Sequence, residues 1–285
     1  MIAMRPGFGP VRAVVCALAM AALTGCGGDV VRTGDPITVS NPDQQTPQTS
    51  ILQSLWSRSI TRVVIEVDYG PGAAPYVGTI PSLGNVWGIF SANARRLFQG
   101  SGKQLTIPTT LGEMQRIETS TTDFTLDDLV SLSRRNRNAL PTASTATFHV
   151  MILNGYFRDA SGQRRTDLLG GNLDGTGIIV IFKPVVQSTE ATGGQYAPAI
   201  VEQTTLVHEF GHAVGLVGDG LSPVHDHEDH AHAHHCTSSS CVMNAWNEGG
   251  SAAVAFASRL ATTGNAVMFD SDCLADTDAA IAAAR

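Results

Sequence analysis

Two histidines and a glutamate near residue 210 have the spacing of a metal-dependent hydrolytic site. Residues 207–216 read VHEFGHAVGL, so His208 and His212 are four positions apart. On a helix, side chains four positions apart share one face, and the two imidazoles lie side by side. Two such nitrogen ligands are half of a zinc site, and Glu209 adjoins the first of them. A metal that lowers the pKa of water and a carboxylate that accepts its proton together favour hydrolysis.

The residues that follow favour a metal site over an ordinary amphipathic helix with two half-buried histidines. Gly215 comes three residues after His212, where a helix whose chain returns over a metal must stop with a positive φ. Further nitrogen and oxygen donors follow in the His/Asp-rich loop, residues 225–235, and Met243 comes after that loop.

HExxHxxG followed by another His and a Met resembles the signature of the metzincin zinc endopeptidases. In that family the third His lies three residues after the glycine, at the position that Gly218 occupies here. Residues 235–243, HCTSSSCVM, are similar to the H-C-x4-C-x-M element of archaemetzincin-like members. The resemblance implies an insertion before the third ligand, as in leishmanolysin-like enzymes, with His235 as that ligand and Met243 as the Met-turn beneath the metal. At motif level it covers only residues 208–243.

The same resemblance implies a fold and a mechanism. The fold would be α+β and zincin-like, with a twisted mixed sheet, an active-site helix and a small loop-rich C-terminal subdomain. One catalytic Zn²⁺ would serve an endopeptidase in which Glu209 is the general base. The protein or peptide substrate would add as an antiparallel strand to a sheet edge near residues 177–182, at Ile178, Ile179 and Val180.

The inserted loop leaves several alternatives open. His227 and then His232 are the other candidates for the third ligand. Three interpretations of the loop itself stay open: a solvated segment without a fixed metal, a second zinc or calcium site, or a segment that captures zinc for the catalytic centre. The donors for a second metal would be Asp226, Asp229, His230 or His232.

The N-terminus is typical of an exported lipoprotein. Arg5 and Arg12 precede an apolar run at residues 13–23, which is too short to span a bilayer as a mature helix. The run ends in LTGC, similar to a bacterial lipobox in which Cys26 receives the lipid. The resulting division is a signal peptide (1–25), a polar tether (26–50) and a catalytic domain (51–285), itself split into subdomains 51–217 and 218–285. The expected location is the bacterial cell envelope, at the outer membrane and periplasm or on the cell surface, anchored by lipid.

Three cysteines remain for the folded domain of an exported chain, where oxidation is permitted. A disulfide between Cys236 and Cys241 is the first interpretation, and pairing of either with Cys273 stays open. Archaemetzincins use the corresponding cysteines for a structural zinc together with a later C-x-x-C. That later pair is missing here, which argues against such a zinc.

Alternating strands and helices predict the mixed fold independently of the motif. Strands are expected at residues 60–69, 147–157 and 177–186, and helices at 85–98, 125–136 and 197–217, with 159–175 as a polar loop.

Composition limits the classes of function. A content of 43% hydrophobic and 15% charged residues is that of a globular protein, and the net charge of −7 argues against nucleic acid as a partner. Nothing indicates oligomerisation, so a monomer is expected. Two alternatives to a peptidase are a zinc-binding or zinc-delivery lipoprotein and an inactive metzincin-like protein for surface interactions. Glu209 favours the enzyme, because a pure binding site needs no general base.

Overall fold

The structure, a computed structural model, describes residues 54–81, 83–245, 250–263 and 266–284. The predicted signal peptide, the tether and the lipidation site Cys26 lie outside these residues. Within the described part of the chain, no helix combines the length and the apolar composition needed to cross a bilayer.

A six-stranded mixed sheet forms the centre of the protein. Its order is β10-β11-β7-β1-β4, and β5 also pairs with β1. The strands are β1 (Arg62–Tyr69), β4 (Gln104–Thr106), β5 (Gln115–Arg116), β7 (Thr145–Leu153), β10 (Gly170–Leu173) and β11 (Ile178–Phe182). All pairs are parallel except β10 with β11. Short strands form two smaller sheets, β2 (Thr79–Ile80) with β3 (Gly84–Asn85), and β6 (Asp123–Phe124) with β8 (Tyr156–Arg158) and β9 (Arg164–Arg165).

Seven helices complete the described fold, and the predicted mixed α+β class is confirmed. They are α1 (Trp87–Leu97), α2 (Leu126–Asn136), α3 (Lys183–Ser188), α4 (Glu190–Gly193), α5 (Ala197–Ala213), α6 (Gly250–Thr263) and α7 (Ser271–Ala283).

Helix α5, which carries the HEFGH segment, is buried along its whole length. Its Phe210 ring packs edge-on against Phe90 of α1 and Phe148 of β7, with ring centroids 5.4 and 5.1 Å away. Helix α2 lies on the opposite face of the sheet, where Ser133 hydrogen-bonds His149 of β7. Because helices cover both faces, the strand β7 is buried almost throughout, as parallel strands usually are.

A buried ion pair fixes the start of α5 to the sheet. The Lys183 ammonium lies 2.6 Å from a carboxylate oxygen of Glu202, and both side chains are almost fully buried. The other carboxylate oxygen of Glu202 accepts the backbone N–H of Tyr76, and the ammonium sits 3.5 Å above the Tyr76 ring. Burial lowers the pKa of Lys183 and raises that of Glu202, so each charge depends on its partner.

The prediction of a loop at residues 159–175 is wrong, because this segment contains β9 and β10. Strand β10 begins with Gly170 and Gly171, residues that favour turns. A Cβ at Gly170 would lie 2.8 Å from the carbonyl oxygen of Val180, so the close approach of β10 to β11 requires a glycine there. The predicted strand 177–186 likewise ends at Phe182, since α3 begins at Lys183 with Pro184 in its first turn.

This topology also corrects the expected substrate edge. Ile178, Ile179 and Val180 belong to β11, which is hydrogen-bonded to β7 on one side and β10 on the other. A strand paired on both sides has no free backbone groups for a peptide. The outer position in the sheet belongs to β10, whose four residues are themselves buried.

Candidate metal centre

The structure brings His208, His212 and His235 together into one group, here called the histidine cluster. The ring centroids are 4.7 Å apart for His208 and His212, 5.4 Å for His208 and His235, and 5.2 Å for His212 and His235. One ring nitrogen from each lies within 4.8 Å of the others, and the Nε2 atoms of the two α5 histidines are 3.0 Å apart. Three nitrogens held about 2.0–2.1 Å from a zinc ion would have similar separations.

Each ring of the cluster is oriented by a hydrogen bond from its Nδ1. His208 donates to the carbonyl oxygen of Val242 at 2.7 Å, and His235 to that of Ala233 at 2.8 Å. His212 contacts a carboxylate oxygen of Asp219 at 2.6 Å. Because carbonyl and carboxylate oxygens only accept, the proton of each neutral ring is on Nδ1 and the lone pair on Nε2. Outer hydrogen bonds of this kind fix the tautomer in metal-ligating histidines.

Asp219 links the cluster to the inserted loop. One carboxylate oxygen contacts His212, and the other lies 2.8 Å from Nδ1 of His234. Burial acts to raise the pKa of Asp219, but the adjacent imidazoles outweigh it and hold the pKa below its ordinary value. Burial lowers the pKa of His212 to about 4 in spite of this carboxylate. A ring that stays neutral at physiological pH has the protonation state that a metal ligand needs.

The turn after α5 sends the chain back toward the cluster. The helix ends at Ala213, four residues before the predicted end, and Gly215 has a φ of +98°. The N–H of Leu216 donates to the carbonyl of Gly211 at 3.0 Å, which closes the helix end. The positive φ predicted for Gly215 is thus confirmed.

Met243 lies directly against the site helix. A Cβ built on Gly211 would be 2.3 Å from Sδ of Met243, so this glycine admits the methionine between the turns that carry His208 and His212. The Met243 carbonyl accepts the N–H of Cys236, one residue after His235. The methionine side chain is fully buried. Its backbone carbonyl holds the segment that contains His235, the third imidazole of the cluster.

Glu209 occupies the same helix between the two histidines and is 5% exposed. A general base for water must combine proximity to the metal with limited solvation. Its small exposed fraction satisfies the second condition, and its place next to His208 on the site helix favours the first.

The other candidate ligands lie elsewhere. His227 is buried beside Asp276 of α7, with Nε2 2.8 Å from a carboxylate oxygen. His232 is half exposed and contacts Asp229 at 2.8 Å. His230 and Asp226 are both more than three-quarters exposed and 3.7 Å apart. Neither His227 nor His232 belongs to the histidine cluster, and His235 is the loop residue that joins it.

The predicted disulfide between Cys236 and Cys241 is not formed, and all three cysteines of the described residues are buried. Their sulfurs gather together with the Asp270 carboxylate, all within 4.8 Å of one another. The Cys241 and Cys273 sulfurs are 3.5 Å apart, well beyond the length of an S–S bond. The prediction differs from the structure because three sulfurs come together at one point, whereas a disulfide pairs only two.

Sequence reasoning missed several residues of the site. Asp219 orients His212, and its place shortly before the His-rich segment was its only signal. Asp276 orients His227 from α7, and nothing in the sequence pointed to it. A second buried group, Asp68 with His149 and Ser133, also went unrecognised. It lies on the face of the sheet covered by α2, opposite to α5, and burial raises the pKa of Asp68.

Comparison of the chain with protein-family models, with curated proteins and with solved structures gives no match.

Proposed function

We propose that the chain is a zinc-dependent endopeptidase of metzincin type that cleaves extracytoplasmic proteins or peptides. The observation that carries the proposal is the convergence of His208, His212 and His235, each with its Nδ1 on an oxygen acceptor. Three imidazole nitrogens are the protein donor set of catalytic zinc sites that keep a position for water.

The donor set fits zinc better than harder cations. Calcium and magnesium prefer oxygen ligands, whereas the cluster presents three nitrogens in a buried setting. When bound, zinc would lower the pKa of a coordinated water and polarise the carbonyl of the scissile peptide bond. Glu209 adjoins His208 on α5, as a base for that water should.

The protein's own residues supply the proton transfer and the orientation. Glu209 takes a proton from the water as the water oxygen attacks the peptide carbonyl carbon. The same carboxyl group then gives the proton to the leaving amine nitrogen as the C–N bond breaks, so the carboxylate is regenerated. Asp219 and the Val242 carbonyl hold His212 and His208 in place, and Met243 supports the helix between them.

The test is cleavage by the purified full chain, with Glu209→Ala as the decisive variant. We expect wild type to bind zinc and to cleave casein or members of a peptide library. Glu209→Ala should keep zinc and lose at least about 100-fold in kcat/KM, the usual contribution of a general base. Glu190→Ala, an exposed glutamate on α4, is the matched control and should be unaffected. Cleavage that survives in Glu209→Ala would refute the mechanism.

Exposed histidines of the inserted loop favour a second candidate, a zinc-binding or zinc-delivery lipoprotein. His230 is 77% and His232 49% exposed, and both adjoin aspartates, so the loop offers accessible donors. Zinc binding without cleavage in wild type would support that candidate or an inactive scaffold for surface interactions. Attachment to the cell envelope through Cys26 belongs to the proposal in either case, and mass spectrometry of the mature N-terminus tests it.

A further inference from the structure

Three thiols from two parts of the chain converge into a group separate from the histidine cluster. Cys236 and Cys241 bracket the turn before Met243, and Cys273 lies in the first turn of α7. All three side chains have no exposed surface, and the Cys241 and Cys273 sulfurs are 3.5 Å apart. Sulfurs bound at about 2.3 Å in a tetrahedral zinc site are about 3.8 Å from one another, close to this separation.

A buried histidine of the inserted loop, His227, lies beside this group, although the four atoms within 4.8 Å of one another are the three sulfurs and an Asp270 oxygen. Nε2 of His227 lies 2.8 Å from the Asp276 carboxylate, which accepts its proton, so the lone pair is on Nδ1. That Nδ1 is 4.0 Å from Sγ of Cys273. The same carboxyl group accepts the N–H of Val224 at 2.7 Å, so Asp276 is itself held in place. A carboxylate behind a histidine that faces sulfurs is the outer arrangement found at metal ligands.

Backbone groups around the sulfurs match thiolate chemistry. The N–H of Ser238 points at Sγ of Cys236 at 3.4 Å, and that of Asp270 at Sγ of Cys241 at 3.5 Å. Such N–H donors stabilise negative charge on sulfur, which structural thiols in an apolar core do not require.

We propose that Cys236, Cys241, Cys273 and His227 form a second, structural zinc centre of Cys3His type. Binding displaces the thiol protons to solvent and leaves three thiolates and one neutral imidazole on the ion. The four ligands come from the inserted loop, the segment around the methionine turn and α7. A zinc ion there would therefore tie α7 and the loop to the segment that carries His235. Two of the four ligands, His227 and Cys273, lie outside both the HExxHxxG and the H-C-x4-C-x-M motifs.

Asp270 is the competing fourth ligand, since its carboxylate also lies among the sulfurs. One of its oxygens accepts the N–H of Cys273 at 3.0 Å and caps α7, while the other is 3.3 Å from Sγ of Cys236. Because the cap already uses this carboxylate, we assign it to the helix end and the imidazole to the metal. Asparagine caps a helix as well as aspartate does, so Asp270→Asn tests ligation without removing the cap.

The experiment uses cobalt as the probe, in the full chain with His208→Ala and His212→Ala to remove the histidine cluster. Titration with Co²⁺ should produce thiolate-to-cobalt charge-transfer absorption that saturates at one equivalent. The absorption should vanish in Cys273→Ser, weaken and shift in His227→Ala, and persist in Asp270→Asn. His230→Ala, an exposed histidine of the same loop, is the matched control and should leave the spectrum unchanged. The absorption of bound cobalt does not depend on peptidase activity. A negative result in this experiment is therefore distinguishable from a failure of the proposed function.

Zinc-edge X-ray absorption of the wild-type chain provides a measurement that does not depend on the folding of variants. A shell of sulfur at about 2.3 Å supports the proposal. Nitrogen and oxygen scatterers alone would overturn it, as would an intact mass that shows a Cys241–Cys273 disulfide. A spectrum changed by Asp270→Asn and not by His227→Ala would overturn the assignment of the fourth ligand.

Discussion

Nδ1 of His212 and a carboxylate oxygen of Asp219 are 2.6 Å apart, in a contact that joins the site helix to the chain that follows it. Asp219 stands one residue after the position of the third histidine in short metzincin motifs. Here it orients the second imidazole, and His235 supplies the third from the end of the inserted loop.

Asp219→Asn is expected to weaken zinc binding. The amide keeps the size of the carboxylate but loses its charge, so the hydrogen bond from His212 becomes weaker. Removal of such an outer partner usually costs 10- to 100-fold in metal affinity, or about 1.4–2.8 kcal/mol. Competition with a chelator measures the affinity. Asp229→Asn, which alters a partly exposed aspartate of the inserted loop, is the control, and an equal loss in both variants would contradict the role of Asp219.

Gly211→Ala should destabilise the protein although alanine favours helix. The added Cβ would be 2.3 Å from Sδ of Met243 and 3.2 Å from the Phe269 ring. Overpacking of this kind costs about 1–3 kcal/mol, against a gain in helix propensity of about 1 kcal/mol. Denaturant unfolding gives the difference. In α1, Gly88→Ala meets nothing closer than 3.7 Å and should be neutral or stabilising, and the double change Gly211→Ala with Met243→Ala should relieve the clash.

Lys183→Met is expected to lower the free energy of unfolding by about 3–5 kcal/mol, because it leaves the Glu202 carboxylate buried without its cation. Adding Glu202→Leu to that variant removes the orphaned charge and should restore a large part of the loss. Thermal or denaturant unfolding of the two variants provides the comparison. A single variant as stable as wild type would show that the ion pair carries no such weight.

The metal-free protein should lose stability as the pH falls from about 6.5 toward 4. Burial holds the pKa of His212 at about 4 in the folded chain, whereas the unfolded ring titrates at its ordinary value of 6.5. Between these values the unfolded state binds the extra proton, so the free energy of unfolding rises with pH across the window. Chemical denaturation of chelator-treated protein at several pH values measures the slope. His212→Gln should flatten it, and an identical slope in that variant would exclude His212 as the cause.

The sequence could predict the local part of the site but not its long-range contacts. His208, Glu209 and His212 lie within one turn of a helix, and helical periodicity places them together without knowledge of the fold. Cys273 reaches Cys241 across more than thirty residues, and nothing in the spacing shows which partner it meets. Strand β10 was not predicted from the sequence, because a close backbone contact requires the glycine at position 170 and glycine does not indicate a strand. His227 and His235 belong to the same His/Asp-rich loop, and the sequence does not distinguish them. Only the folded structure shows that His235 joins the histidine cluster and that His227 lies beside the sulfurs.

Zinc-edge anomalous diffraction from crystals of the full chain shows whether His208, His212 and His235 bind a zinc ion. We expect an anomalous peak at bonding distance, about 2.0–2.1 Å, from Nε2 of all three residues. Chelation should abolish this peak together with cleavage. No peak among these three imidazoles in zinc-saturated, well-ordered crystals would contradict the claim that they form a metal centre.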